Sequence, residues 1–136
     1  MIKGVEHIAI ASFEPRKLAE WYAMQLNFMI ILDTGTTLYL QAANGIILEF
    51  VHAETHADAP RVRDAGLRHI AFSVDDLDAA RSELQGRGVQ FADAPIELPG
   101  LRLHFFQDPE GNFLHLVERD IPLANETAAN EKVGSR

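Results

Sequence analysis

Residues 4–10, GVEHIAI, decide the fold because they return as residues 66–72, GLRHIAF, at an offset of 62 positions. A second match follows in the same order: residues 45–51, GIILEFV, correspond to residues 111–117, GNFLHLV, at an offset of 66. Two matches at nearly one offset are typical of a duplicated structural unit. We therefore expect two copies of a unit of about 60 residues.

Both copies predict the same order of elements, β-α-β-β-β. In the first copy, Pro15 suits the first turn of a helix whose apolar residues recur at helical spacing. In the second copy, Asp75 or Asp76 is expected to cap a helix. Runs rich in β-branched and apolar residues predict strands. These strands are expected at 4–11, 28–32, 36–42, 45–52, 66–74, near 89–92, at 101–107 and at 111–118.

The duplication predicts one α+β domain, built from two tandem βαβββ modules over residues 1–121. Module one covers residues 1–52 and module two covers residues 65–121. A polar linker with Pro60 connects them over residues 53–64. Residues 122–136 lack periodicity and predict a polar tail.

Composition narrows the possible partners and locations. The formal net charge of −8 disfavours a nucleic-acid partner, because phosphate binding needs an excess of Lys and Arg. No apolar run reaches the roughly 18 residues of a membrane span, and the first residues lack a secretory pattern. The absence of cysteine leaves no thiolate ligands and fits a cytoplasmic location.

Strand parity places four polar side chains among apolar ones. His7 and His69 lie on the first strand of each module, and Glu49 and His115 lie in the middle of the last strands. Burying a charged Glu49 without a partner is costly, and a cation would remove that cost. Imidazole and carboxylate groups suit zinc, nickel, iron, cobalt or manganese. The four residues therefore predict one divalent-metal site; the alternative is that each is a satisfied core residue.

Other conspicuous residues are assigned ordinary roles. Glu118 has the strand parity of apolar neighbours, so we leave it out of the ligand set. Trp21 and Tyr22 recur at helical spacing and are expected in the core rather than in a stacking platform for a ligand. Three histidines outside the repeat-matched positions are expected to be solvated or structural: His52, His56 and His104.

These stretches resemble the vicinal oxygen chelate superfamily, which includes glyoxalase I, methylmalonyl-CoA epimerase, extradiol dioxygenases and fosfomycin-resistance proteins. The motifs that carry the resemblance are residues 6–10 (EHIAI), 19–22 (AEWY), 26–28 (LNF), 67–72 (LRHIAF) and 108–116 (DPEGNFLHL). The resemblance implies mixed sheets that curve around a metal-bearing pocket, with family ligand positions at His7, Glu49, His69 and His115. It also implies a homodimer, in which His7 and Glu49 meet His69 and His115 of the partner subunit.

The resemblance further implies a metal-dependent lyase or isomerase. Its small oxygenated substrate would chelate one divalent ion per site, with Glu49 as ligand and catalytic base. His115 departs from the glyoxalase I and epimerase pattern, which carries Glu there. Two alternatives stay open: a non-haem iron dioxygenase, and a non-catalytic protein that sequesters an antibiotic or another small molecule. Arg68, Arg102 and Arg119 are candidates, by residue type alone, for holding an anionic substrate.

Overall fold

A computed structural model describes residues 1–123, so the predicted tail lies outside the described residues from position 124 onward. The order β-α-β-β-β occurs twice, which confirms the predicted α+β class and its tandem modules. The first copy has β1 Ile8–Ser12, α1 Pro15–Leu26, β2 Met29–Asp33, β3 Leu38–Gln41 and β4 Ile47–His52. The second has β5 His69–Ser73, α2 Leu77–Gly86, β6 Ile96–Leu98, β7 Leu101–Gln107 and β8 Phe113–Arg119.

Each copy forms a four-stranded sheet, and both sheets have the same strand order. The orders are β1-β4-β3-β2 and β5-β8-β7-β6, so the first strand of a copy lies beside its last strand. In the first sheet β1 runs parallel to β4, whereas β3 is antiparallel to β2 and to β4. Among the described residues, no helix is long and apolar enough to cross a membrane.

The residues group into two compact units according to their contacts in space. The first contains residues 1–68 and 107–113; the second contains residues 69–106 and the described residues from 114 onward. In the first unit, α1 begins at Pro15 as predicted and ends at Leu26, followed by the C-cap Asn27, whose φ of 59° is left-handed. Its buried residues Leu18 and Tyr22 are four positions apart and so lie on one face of the helix. They form the core of this unit with the alternate, buried side chains of β3 and β4.

The turns that close the two β-hairpins repeat atom for atom. The amide Nε2 of Gln41 donates to the carbonyl of Gly45 at 3.3 Å, and Nε2 of Gln107 donates to the carbonyl of Gly111 at 3.1 Å. Both glycines have left-handed φ values, 95° and 88°, which side chains with a Cβ rarely adopt. The backbone N–H of each glycine also donates three residues back, from Gly45 to Ala42 and from Gly111 to Asp108, so the duplication seen in the sequence extends to the hydrogen bonds of the turns.

The second of these turns carries a buried polar cluster in the first unit. The Tyr22 hydroxyl donates to Oδ2 of Asp108 at 2.6 Å, and Asn112 donates to the same carboxylate through its backbone N–H and its side-chain amide. The Ser12 hydroxyl donates to the carboxylate of Glu110. Burial, and next the adjacent Asp108 carboxylate, raise the pKa of Tyr22, so its hydroxyl remains a donor. Tyr22 is a core residue as predicted, but its polar partner was not predicted.

The second unit corrects one strand. The strand predicted near residues 89–92 is absent; Phe91 forms a single isolated bridge to Phe106, and β6 lies at Ile96–Leu98 instead. The carbonyl of Ala92 contacts Nε2 of His104 at 2.7 Å, and the backbone N–H of Ala92 donates to the carbonyl of Phe105 at 2.8 Å, so only part of a strand ladder forms here. Asp76, rather than Asp75, caps α2 by accepting the backbone N–H of Ala79 at 3.0 Å.

The first strand also differs from expectation in its burial. We expected the bulky side of β1 to pack beneath α1, yet Ile8 is 40% exposed. β1 is also an edge strand of its sheet, with β4 on one side only. The matching expectation for the last strands is correct, because Leu48, Phe50, Leu114 and Leu116 are buried.

Candidate metal site

The first unit brings His7 and Glu49 together. The register of the parallel β1–β4 pair aligns Ala9 with Glu49, and His7 lies just before β1 on the same side of the sheet. Nε2 of His7 is 3.3 Å from Oε1 of Glu49. The side chains are 33% and 16% exposed, so both are reachable from solvent but largely enclosed. An imidazole nitrogen and a carboxylate oxygen thus lie side by side on neighbouring strands.

Tyr39 is a third member of this cluster, and the sequence reasoning missed it. The antiparallel β3–β4 register places Tyr39 directly opposite Glu49. Its hydroxyl donates to Oε2 of Glu49 at 2.6 Å, and its ring lies edge-on to His7 with centroids 5.7 Å apart. The hydrogen bond to the carboxylate raises the pKa of Tyr39 above its ordinary value. The available signal was the alternation of β3, which puts Tyr39 on the face of its sheet that carries Glu49.

The second unit brings His69 and His115 together. Their ring centroids are 4.7 Å apart, and Phe105 lies edge-on to both, at 5.7 Å from His69 and 4.9 Å from His115. His115 is buried, with 6% of its surface exposed. Burial, and next the neighbouring His69, lower the pKa of His115. The imidazole of His115 is therefore neutral at pH 7, which is the form that binds metals.

The two clusters occupy equivalent positions of the repeat. At the offset of 66, Tyr39 corresponds to Phe105 and Glu49 corresponds to His115. Where the first sheet has a phenol beside a carboxylate, the second has a phenyl ring beside an imidazole. The two sheets therefore have equivalent positions for these side chains, but the residues at those positions differ in chemistry.

The four predicted ligands thus lie in two pairs, each inside its own unit. Within residues 1–123 of one chain, no group of three or more His, Cys, Asp or Glu side chains that could hold a metal ion is present. The chemistry of the pairs still fits a divalent ion, because three imidazole nitrogens and one carboxylate oxygen suit zinc, iron, nickel or cobalt. Convergence of all four residues on one ion remains a prediction.

Residues left out of the ligand set have structural partners in the second unit. Oε1 of Glu118 accepts the backbone N–H of Leu77 at 2.9 Å, at the first turn of α2. His104 is buried and contacts both Arg81 and the carbonyl of Ala92, which confirms its structural role.

Of the three arginines named for an anionic substrate, Arg102 is already engaged. Its guanidinium is 3.0 Å from Asp78 and 3.2 Å from Glu97. An incoming anion would have to compete with these two carboxylates. Arg102 is therefore a poor candidate for holding substrate.

Comparison with known proteins gives consistent matches over most of the chain. The family model for the Glyoxalase/Bleomycin resistance protein/Dioxygenase superfamily matches residues 4–116. The protein YwkD of Bacillus subtilis (strain 168) is 32% identical over 127 residues, covering 88% of this chain and 99% of YwkD.

Two solved structures have the same fold. SMU.1112c is 31% identical with a TM-score of 0.68, covering 87% of this chain and 100% of that one. TnmS3, an antibiotic binding protein from Streptomyces sp. CB03234, is 25% identical with a TM-score of 0.71, covering 88% and 98%.

Proposed function

The chain belongs to the glyoxalase/bleomycin resistance protein/dioxygenase superfamily, and on that premise we propose that it is a metal-dependent lyase or isomerase. Its substrate class is a small oxygenated molecule that chelates the metal. One observation carries the proposal: Nε2 of His7 and Oε1 of Glu49 lie 3.3 Å apart on neighbouring strands, and the repeat-equivalent positions bring His69 and His115 together. Imidazole nitrogen is a donor of intermediate softness and carboxylate oxygen is a hard donor, and together they suit a divalent transition metal.

Each residue of the site has a distinct role in the proposed reaction. His7, His69 and His115 would hold the ion through imidazole nitrogens. A bound divalent cation would polarise the substrate oxygens and stabilise negative charge that develops next to them. Glu49 is the only carboxylate among the four, so its Oε1 removes and returns the substrate proton. Because Oε2 accepts the hydrogen bond from Tyr39, Oε1 is the oxygen available to bind the ion and, in alternation, for that transfer.

The site is completed by a second copy of the chain. Each pair supplies two ligands, whereas protein sites for zinc-like ions use three or four. We therefore place His7 and Glu49 of one chain with His69 and His115 of the partner subunit. The exposed surface supports a partner: β2 is an edge strand, and its four apolar residues, Met29 to Leu32, are between 41% and 69% exposed. Exposed apolar edge strands are unfavourable in a lone chain.

Metal content tests the ligand set. Purified wild-type protein is expected to hold about one divalent ion per chain, and His7→Ala and His115→Ala to hold almost none. His52→Ala is the matched control, since it removes an exposed histidine of β4 outside the repeat-matched positions. If His7→Ala and His115→Ala both keep their full metal content, the proposed site is wrong.

Mixing the two variants tests the shared site. In a dimer of the proposed kind, one site of each mixed dimer combines intact His7 and Glu49 with intact His69 and His115. Random reassociation of a 1:1 mixture should restore about 0.25 ion per chain, because half of the dimers are mixed and each holds one intact site. If each site belonged to a single chain, the mixture would stay empty.

Proton transfer tests the reaction class. We expect wild-type protein loaded with metal to exchange the hydrogen next to the carbonyl of α-hydroxyketones or α-hydroxyacids for deuterium in D₂O, measured by NMR. Glu49→Gln should abolish the exchange, because an amide cannot accept the proton at neutral pH. Exchange that continues in Glu49→Gln would exclude Glu49 as the base.

A second candidate function is sequestration of a small molecule without chemistry. The similarity to TnmS3, an antibiotic binding protein, favours it. Protein that binds no divalent metal, yet changes the fluorescence of its single tryptophan on adding an antibiotic, would support this function over the first. Stoichiometric metal binding together with deuterium exchange would exclude it.

A further inference from the structure

We propose that Tyr39 is a positioning residue for Glu49, holding one carboxylate oxygen so that the other is presented beside His7. The inference rests on the proposed metal site. It concerns the hydroxyl of Tyr39, which is named by no sequence motif. Its role is therefore separate from the identity of the four ligands.

The two oxygens of Glu49 have different neighbours. Oε2 accepts the hydroxyl of Tyr39 at 2.6 Å, and Oε1 lies 3.3 Å from Nε2 of His7. A carboxylate without such a hydrogen bond can rotate, or can bind an ion through either oxygen or through both. A short hydrogen bond to one oxygen removes that freedom. Residues bonded to ligands in this way orient them and tune metal affinity.

The register of the sheet fixes the position of Tyr39. It lies directly across the β3–β4 ladder from Glu49, where side chains of paired residues are close neighbours. Its ring lies at 85° to the ring of His7, so it also borders the second ligand of the pair. Nδ1 of His7 is 3.0 Å from Glu6, which leaves Nε2 as the nitrogen turned toward Glu49.

The second unit supplies an internal comparison. Phe105 occupies the equivalent position and packs its ring edge-on against His115, at 4.9 Å. A ring therefore suffices for packing at this place in the fold. The hydroxyl occurs in the unit where the neighbouring ligand is a carboxylate, which has a second oxygen to be held. An imidazole presents one ligand nitrogen at a time and has no such need.

The test measures dissociation constants for Co²⁺ in the full chain, by competition with a chelating dye. Tyr39→Phe should weaken binding about tenfold or more, since losing a group bonded to a ligand commonly costs 10–100-fold. In the background of Glu49→Ala, the same Tyr39→Phe change should have no further effect. Tyr22→Phe is the control: it removes the chain's other tyrosine hydroxyl, which donates to Asp108 and not to Glu49, and should leave Co²⁺ affinity unchanged.

A spectroscopic readout separates positioning from a general loss of structure. Tyr39→Phe frees Oε2 to bind the ion, so the visible absorption of the Co²⁺-loaded protein should change. Tyr22→Phe should leave the spectrum as it is in the wild type. Circular dichroism of both variants establishes that the fold is retained.

Each other outcome has a defined meaning. If Tyr39→Phe binds Co²⁺ as tightly as wild type while Glu49→Ala does not, the positioning role is wrong and the metal site stands. If Tyr39→Phe weakens binding equally in both backgrounds, the hydroxyl does not act through Glu49 and the inference is also wrong. If wild-type protein binds no divalent ion, both the inference and the proposed function fail.

Discussion

Replacing Tyr22 with phenylalanine deletes one oxygen atom from the core of the first unit. Tyr22 is 0% exposed, and its hydroxyl donates at 2.6 Å to Asp108, which is 4% exposed. A hydrogen bond to a charged group contributes about 1.5–3 kcal/mol. The lower half of that range applies, because the same oxygen of Asp108 keeps the side-chain amide of Asn112 at 2.7 Å. We expect the free energy of unfolding to fall by about 2 kcal/mol and Tm by about 6 °C.

Urea denaturation of metal-free protein, followed by circular dichroism, measures this loss; the m value should not change. Tyr39→Phe is the matched control, since it also removes a hydroxyl that donates to a carboxylate at 2.6 Å, but at a partly exposed position. Its Tm should shift by less than half as much as that of Tyr22→Phe. Equal Tm shifts in the two variants would refute the argument that burial makes the Tyr22 hydrogen bond the more stabilising of the two. An unchanged Tyr22→Phe would show that the bond contributes nothing net.

Three further predictions address the helix cap, the glycines and pH. Asp76→Ala should lower the free energy of unfolding by about 1 kcal/mol in the urea assay, while Asp75→Ala changes it little; the reverse result would make Asp75 the cap. Gly86 lies in α2 with open space around it, so Gly86→Ala should raise the free energy of unfolding by about 0.5–1 kcal/mol. Gly45 has a φ of 95°, so Gly45→Ala should lower it. If both substitutions changed the free energy of unfolding in the same direction, the argument from backbone conformation would be wrong. Because burial lowers the pKa of His115 below 6.5, the unfolded chain binds this proton first as pH falls. Metal-free protein should therefore lose stability below about pH 6.5 and His115→Gln should lose less; an NMR titration placing the ring at or above 6.5 would refute this.

Much of the candidate site could be predicted from strand alternation and repetition. His7 and Glu49 were expected to share a face, and the parallel register of β1 and β4 brings them within 3.3 Å. The second pair follows because the second sheet has the same strand order. Tyr39 was not predicted, because its contact with Glu49 depends on the register between β3 and β4, which the turn between them sets.

The sequence also did not predict buried hydrogen bonds between residues that are far apart along the chain. Tyr22 and Asp108 are 86 positions apart, and no local pattern relates a helix residue to a distant turn. The strand expected at residues 89–92 was wrong for a similar reason. Its apolar residues suit a strand, and Ala92 does donate its backbone N–H to Phe105, but pairing stops at the single bridge of Phe91, and the carbonyl of Ala92 contacts the His104 side chain.

The repeat of residues 4–10 and 45–51, with local periodicity, was sufficient to predict two βαβββ units, their order and the four candidate ligands as residues at repeat-related positions. These are properties of short stretches, and alternation or helical spacing is written directly into neighbouring residues. Only the tertiary structure decided that Tyr39 holds the second oxygen of Glu49 and that Tyr22 binds Asp108. The same holds for the hydrogen bond from the first residue of α2 to the Glu118 carboxylate and for the exposure of Ile8. Each of these depends on which strands become neighbours and in what register, and register is a cooperative property of the whole sheet rather than of any one strand.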